Sequence, residues 1–212
     1  MKIFIVRIKD FLKSIDKTSF EKVYKSDKRN MEFQLGRFIT KYIASSVYGL
    51  DNTEIDVDNK KPYFTNSSLN FSISHSNNIW GVAFSEGVIG LDIEKFKQRD
   101  LNRLSEYFKK KFKTLEEFYQ YWTVYEANYK SKLSNEIQKS FKFEDYFVSI
   151  SAENNTELKI YEVASPIAIT NPIELINLKL VNDNNIKDIK LVINEINTAS
   201  LEVLPPLAIN IE

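Results

Sequence analysis

The chain has 212 residues, 43% hydrophobic and 13% aromatic, so burial can offset the entropy of ordering one large domain or two of roughly 100 residues, and global disorder is not expected. Its 29 basic and 29 acidic residues cancel, which excludes the strongly positive field of a general nucleic-acid binder and makes any anion site local. The absence of cysteine and the single histidine exclude disulfides, thiolate metal sites and cysteine nucleophiles, leaving oxygen ligands or that histidine for a metal.

Residues 2 to 8 read as a strand. Broken by Arg7, Lys9 and Asp10, the opening run is too polar for a signal-peptide core and too short to span a membrane. No later apolar stretch reaches membrane length, so a soluble, cytoplasmic protein is expected. Phe33, Phe38, Ile39, Tyr42, Ile43 and Val47 fall close to helical spacing and predict a helix over 33–47. Beyond Lys60-Lys61-Pro62-Tyr63-Phe64, the alternation of Leu69, Phe71 and Ile73 with polar residues predicts a strand ending at His75. Turns at Asn77-Asn78 and Glu86-Gly87 set off two more strands, 79–85 and 88–94, and suggest an antiparallel meander.

From Asp100 to Leu133 the chain is rich in Lys, Glu, Phe, Tyr and Leu and lacks Pro and Gly, which favours helices. Strand-like runs return at 146–151 and 158–164. After Pro172, Leu and Ile alternate with Asn, Asp and Lys, a pattern that decides nothing between strand and helix. The element order predicts an α+β fold of two similar halves, residues 1–97 and 98–172, with 173–212 as an unassigned extension. No internal sequence repeat accompanies this symmetry.

Three groups of residues have chemical potential. Asp92 and Glu94 stand two apart on a predicted strand and share a face, and an all-oxygen pair suits hard Mg2+, Mn2+ or Ca2+ better than zinc. Taken alone, such a pair is common on solvated strand edges. Trp122, Glu126 and Lys130 share one face of a predicted helix, although Glu-to-Lys at this spacing is also the ordinary stabilising surface pair. His75 lies between Ser74 and Ser76 at a strand end, where an imidazole could donate to a phosphate or simply occupy a polar turn. No Gly-x-Ser-x-Gly elbow is present to make a hydrolase of the serines.

In order, Lys61-Pro62, Phe71-Ser72-Ile73-Ser74-His75-Ser76, Gly90-Leu91-Asp92-Ile93-Glu94 and the run Trp122 to Lys130 form a series. That series resembles the surfactin-type 4'-phosphopantetheinyl transferases, whose matching stretches read roughly Gly-Lys-Pro, Phe-Asn-x-Ser-His-Ser, Gly-x-Asp-x-Glu and Trp-[ST]-x-Lys-Glu-[AS]-x-x-Lys. The match covers about residues 60 to 130.

The resemblance implies a pseudo-twofold α+β protein with coenzyme A in the cleft between the halves. It implies that Asp92, Glu94 and Glu126 hold Mg2+, or Mn2+, against the pyrophosphate, that His75 and Lys130 contact the coenzyme's phosphates, and that Ser74 belongs to the coenzyme site. Lys61 and Pro62 would border its adenine and ribose phosphate. Glu126, directly or through water it orients, would deprotonate a serine of an apo acyl or peptidyl carrier protein, with His75 and Lys130 assisting. The expected protein is a monomer that binds neither nucleic acid nor membrane.

Three positions depart from the pattern. Tyr125 replaces the lysine before the glutamate, Lys60 replaces the glycine, and Glu32 stands near the position where the family often supplies an arginine for the nucleotide. Lys17, Lys22, Lys28 or Arg29 are the candidates to take the 3'-phosphate instead. The departure at Tyr125 and the unplaced tail motivate a second expectation, a module that binds coenzyme A or a carrier without turnover.

Overall fold

A computed structural model describes residues 1–9, 25, 27–50, 54–133, 137–153, 157–164, 174–180, 187–197 and 200–205. In chain order the elements are β1 (Lys2–Arg7), α1 (Asp27–Tyr48), β2 (Ile55–Asp58), β3 (Lys61–Phe64), β4 (Asn70–Ser76), β5 (Ile79–Ser85) and β6 (Ile89–Lys95). There follow α2 (Leu101–Tyr107), α3 (Leu115–Ser131), β7 (Ile137–Phe143), β8 (Tyr146–Ala152), β9 (Lys159–Ala164), β10 (Glu174–Leu180), β11 (Lys187–Ile196) and β12 (Glu202–Leu204). The mixed α+β class expected from the sequence is what the structure has. Among the described residues, no helix is long and apolar enough to cross a membrane.

One sheet has the order β10-β11-β9-β1-β5-β4, a second has β12-β7-β8-β6, and β2-β3 forms a separate hairpin. Two units share a pairing pattern. In the first, β1 and β4 flank β5, both antiparallel to it; in the second, β6 and β7 flank β8 in the same way. A helix lies between the first and second strands of each unit, α1 in one and α3 in the other. By this pairing β6 is the opening strand of the second unit. β9 returns to the first sheet, parallel to β1.

Period-two alternation explains the layers. Phe4 and Val6 of β1 face Leu35, Ile39 and Ile43 of α1, while Ile3 and Ile5 face Ile89, Leu91 and Ile93 of β6 and Val148 and Ile150 of β8. The two sheets therefore pack face to face through an aliphatic core, with α1 outside the first and α3 outside the second. The even-numbered residues of β6, Gly90, Asp92 and Glu94, are left pointing toward α3. The expected meander stops at β5: β6 does not extend the first sheet but pairs with β8. Its aliphatic face is thereby buried against β1 and β5 instead of beside them.

The helical region divides at residues 108–114 without glycine or proline. Asp100 caps α2 by accepting from the amides of Asn102 and Arg103, and Thr114 caps α3 by accepting from Glu117 N. The helix α1 begins at Asp27, six residues before the first of its periodic apolar positions. The unassigned tail contributes the β10-β11 hairpin to the first sheet and β12 to the second, against β7.

Small polar side chains hold α3 close to its sheet. Thr123 and Ser149 are 2.7 Å apart through their hydroxyls, Ser140 and Ser149 are 2.8 Å apart, and Ser131 donates to Ser151 at 3.0 Å. Gly90 sits directly under the helix, where a Cβ would overlap the Ala127 carbonyl oxygen and lie 2.8 Å from Ser131 N. Both obstacles are backbone, so neither can rotate away. Gly90→Ala should lower stability by about 2 to 3 kcal/mol, read as an earlier midpoint in urea unfolding. An unchanged midpoint would mean that α3 can lift off β6 without cost.

Candidate active site at the seam between β4 and β6

β4 and β6 are edge strands of different sheets, and they meet side by side. Ser72, Ser74 and Ser76 project from one side of β4, and their hydroxyls accept from the amides of Leu91, Ile93 and Lys95 at 2.9, 3.1 and 3.0 Å. The amides of an otherwise unpaired edge are thus satisfied by side chains. The same hydroxyls donate onward, Ser74 to Asp92 Oδ1 at 2.9 Å and Ser76 to Glu94 Oε2 at 2.9 Å. Ser74 therefore orients a carboxylate and joins two sheets. Ser72 and Ser76, which sequence reasoning left without a role, belong to the same ladder, and their spacing of two was the available signal.

Asp92 is 5% exposed. Lys130 reaches across from α3 and donates to Asp92 Oδ1 at 2.7 Å and to the Leu91 carbonyl at 3.0 Å. The expected alternative for this lysine was a surface pair with Glu126; its ammonium instead lies against β6. Asp92 Oδ2 is buried with no hydrogen-bond partner. Burial pushes the Glu94 carboxyl above the usual range, and the Asp92 charge adds to the shift, while the Ser76 hydrogen bond and, more weakly, Trp122 oppose it. Trp122 is half-buried near this carboxylate. Burial also raises Glu126, followed by the charge of Asp92, with Lys130 opposing and Glu94 adding. Asp92, Glu94 and Glu126, brought from a strand and a helix, thus repel one another across one site.

No group of three or more His, Asp or Glu side chains among the described residues is close enough to hold a metal as it stands. The donor set nevertheless fits a hard divalent cation. The orphaned Asp92 Oδ2 and two carboxyls driven toward protonation are what such an ion would satisfy and neutralise.

A cleft of about 670 Å³ is lined by Asp92 and Lys130, by Ser74 and His75 and by Arg29 and Arg37 of α1, while Glu94 and Glu126 are not among its lining residues. A second cleft, about 380 Å³, lies along the end of α3 and is lined by Lys61, Asn128 and Lys132 among others. Lys60, Pro62, Ile73 and Lys130 border both. His75, exposed on the opposite side of β4 from the serines, is on the wall of the larger cleft. Lys61 is in the smaller one, where burial and then the charge of Lys132 push its ammonium below the usual lysine range.

Each departure from the family pattern has a structural setting. Lys60 holds a left-handed backbone at φ 67° in the β2-β3 turn, a conformation that favours glycine, yet its side chain lines both clefts. That conformation costs a non-glycine residue about 1 to 2 kcal/mol. Tyr125 stacks on Trp122 and Tyr121 with centroids 5.9 and 6.3 Å apart. Glu32 lines the larger cleft together with Arg29. Lys17 and Lys22 lie outside the described residues. Arg37 was given no role from sequence and Lys60 entered only as a departure, because only the helix packing and the turn carry their side chains to the cleft.

His75→Ala should weaken binding of a phosphate-bearing ligand about tenfold while leaving the carboxylate cluster intact, since it removes one hydrogen bond to a charged group. Titration calorimetry with coenzyme A reads this directly; a dissociation constant equal to wild type would leave His75 as a surface residue. No family model matches the chain, and no curated protein matches it.

Proposed function

We propose that this protein transfers the 4'-phosphopantetheine arm of coenzyme A to a serine of an apo acyl or peptidyl carrier protein, releasing 3',5'-ADP. The observation that carries the reading is the electrostatic grouping of Asp92, Glu94, Glu126 and Lys130, from two separate elements, with Asp92 and Lys130 lining a cleft bordered also by arginines, Lys60 and the only histidine. The repeated strand-helix-hairpin pattern supports the pseudo-twofold fold that goes with this activity.

In this reading the basic cleft binds and orients the coenzyme's phosphates, with Lys130 and His75 donating to their oxygens. Asp92, Glu94 and Glu126 would hold Mg2+, or Mn2+, which when bound supplies neutralisation of the diphosphate. The carrier serine Oγ attacks the β-phosphorus and forms a new P–O bond. The bond from that phosphorus to the bridging oxygen breaks, and 3',5'-ADP leaves with the electron pair. The serine proton passes to Glu126, directly or through water it orients. Lys130 places positive charge where the phosphoryl oxygens develop it.

The direct test is incubation with coenzyme A, Mg2+ and a panel of apo carrier proteins, followed by intact mass. A gain of one phosphopantetheine on a carrier, dependent on the cation, supports the reading; no gain on any carrier counts against it. A second reading, a module that binds coenzyme A or a carrier without turnover, is favoured by the Lys130 ammonium already occupying Asp92 Oδ1. Coenzyme A binding without transfer would select it.

A further inference from the structure

The serine ladder at the β4-β6 seam is uneven in a way that joining two sheets does not require. Ser72, Ser74 and Ser76 are all buried, and each accepts one β6 amide, from Leu91, Ile93 and Lys95 in turn. Each hydroxyl then has one proton left to give. The positions of β6 that point toward α3 are Gly90, Asp92 and Glu94, so the ladder meets no side chain at its first rung and a carboxylate at the next two. Ser74 donates to Asp92 Oδ1 and Ser76 to Glu94 Oε2, both at 2.9 Å. Among the described residues, the Ser72 hydroxyl donates to no side chain. The amide bonds alone close the seam, and the two carboxylate bonds are an addition to them.

The two carboxylates are not held alike. Asp92 Oδ1 also accepts from Lys130 at 2.7 Å, so it keeps a donor without Ser74. Glu94 has one more torsion to fix and depends chiefly on Ser76, with Trp122 a weaker neighbour. A carboxylate already oriented by a hydrogen bond loses less freedom when an ion takes it up. We propose that Ser76 is a positioning residue that holds Glu94 ready for a divalent cation, and that it ties cation affinity to closure of the seam between the two sheets. The proposal rests on the assignment of Asp92, Glu94 and Glu126 to the cation, and it adds the residue that prepares one of them. Ser76 belongs to the first sheet and Glu94 to the second. Parting the sheets therefore takes the donor from the carboxylate, and by reciprocity a bound cation favours the closed seam.

The test measures Mn2+ binding by electron paramagnetic resonance of the free ion, with the metal alone and again with coenzyme A against a coenzyme blank. Ser76→Ala should weaken Mn2+ ten- to a hundredfold, the usual cost of removing a hydrogen bond from behind a metal ligand. Ser72→Ala breaks the same kind of seam bond and should stay within twofold of wild type, although both variants lower the thermal midpoint. In a Glu94→Ala background Ser76→Ala should cost less than twofold, because the residue it positions is already gone. Equal losses in Ser72→Ala and Ser76→Ala would overturn the proposal and leave the serines as seam bonds only. A full Ser76 effect that persists without Glu94 would overturn it as well. A measurement on wild type covers the case in which Ser76→Ala does not fold: Mg2+ should slow amide exchange at Lys95 more than at Leu91, whose serine touches no carboxylate, and equal slowing at both counts against the proposal. Absence of Mn2+ binding by wild type, or no loss of it in Glu94→Ala, would instead remove the cation assignment on which the proposal stands.

Discussion

If the proposed transfer holds, replacing Asp92 by asparagine should lower it by about a thousandfold or more, some 4 kcal/mol of barrier. The side chain is buried, and one of its oxygens serves Ser74 and Lys130 while the other has no partner within the protein. Asparagine keeps the shape and an acceptor for Ser74, so the seam between the sheets survives. What it removes is the charge that a cation and Lys130 both use. Stability is pulled in two directions. The ion pair to Lys130 is lost, and the repulsion that Asp92 exerts on Glu94 and Glu126 is relieved. The unfolding midpoint therefore moves little compared with the activity. Initial rates at limiting Mg2+, measured beside thermal unfolding, check both halves of this expectation. Full activity of the asparagine variant under those conditions would refute the assignment of Asp92 to the metal.

Glu126→Gln should bring transfer nearly to a halt with coenzyme A binding largely retained. The coenzyme still meets Lys130, His75, Asp92 and Glu94, whereas deprotonation of the carrier serine is needed only on the way to the transition state. The loss falls on kcat, and single turnover with saturating coenzyme A, Mg2+ and carrier isolates it. A near-normal rate there would sink the role of base. The pH dependence has a defined sign. In the metal-free protein burial and the Asp92 charge hold the Glu126 carboxyl above the ordinary carboxylate range, and a bound divalent cation lowers it again, so the limb of the wild-type rate that climbs with pH lies below the metal-free value. The variant should lack this limb.

The same shift acts on stability in the opposite sense. At neutral pH the charged Glu126 opposes folding, and as pH falls through its raised folded pKa the native state takes up a proton that the unfolded chain does not yet bind. The metal-free protein thus gains stability from this group down to the ordinary carboxylate pKa, and Glu126→Gln abolishes that gain. A pH series of thermal midpoints for the two proteins separates this contribution from those of other carboxyls.

Local pattern determined much of this protein in advance. Alternation at Phe71 and Ile73 and the turns at Asn77-Asn78 and Glu86-Gly87 place β4, β5 and β6 to within a residue, because side chains on a strand repeat every two residues whatever the strand pairs with. Helical spacing likewise put Trp122, Glu126 and Lys130 on one face. Pairing partners were beyond such reasoning. Nothing within residues 88–94 says that β6 turns from β5 to β8, since its aliphatic residues would be buried in either sheet. That choice moves Asp92 and Glu94 under α3 and sets the serines of β4 against the β6 edge. The role of Lys130 was open for the same reason: spacing along α3 allows a pair with Glu126, and only the close approach of the helix over Gly90 brings Asp92 within its reach. Asn128, too, drew no reading of its own from the sequence. Its unpaired amide becomes visible only when β4, the β2-β3 turn and the end of α3 meet around it, because hydrogen-bond satisfaction is a property of the assembled neighbourhood and not of the chain.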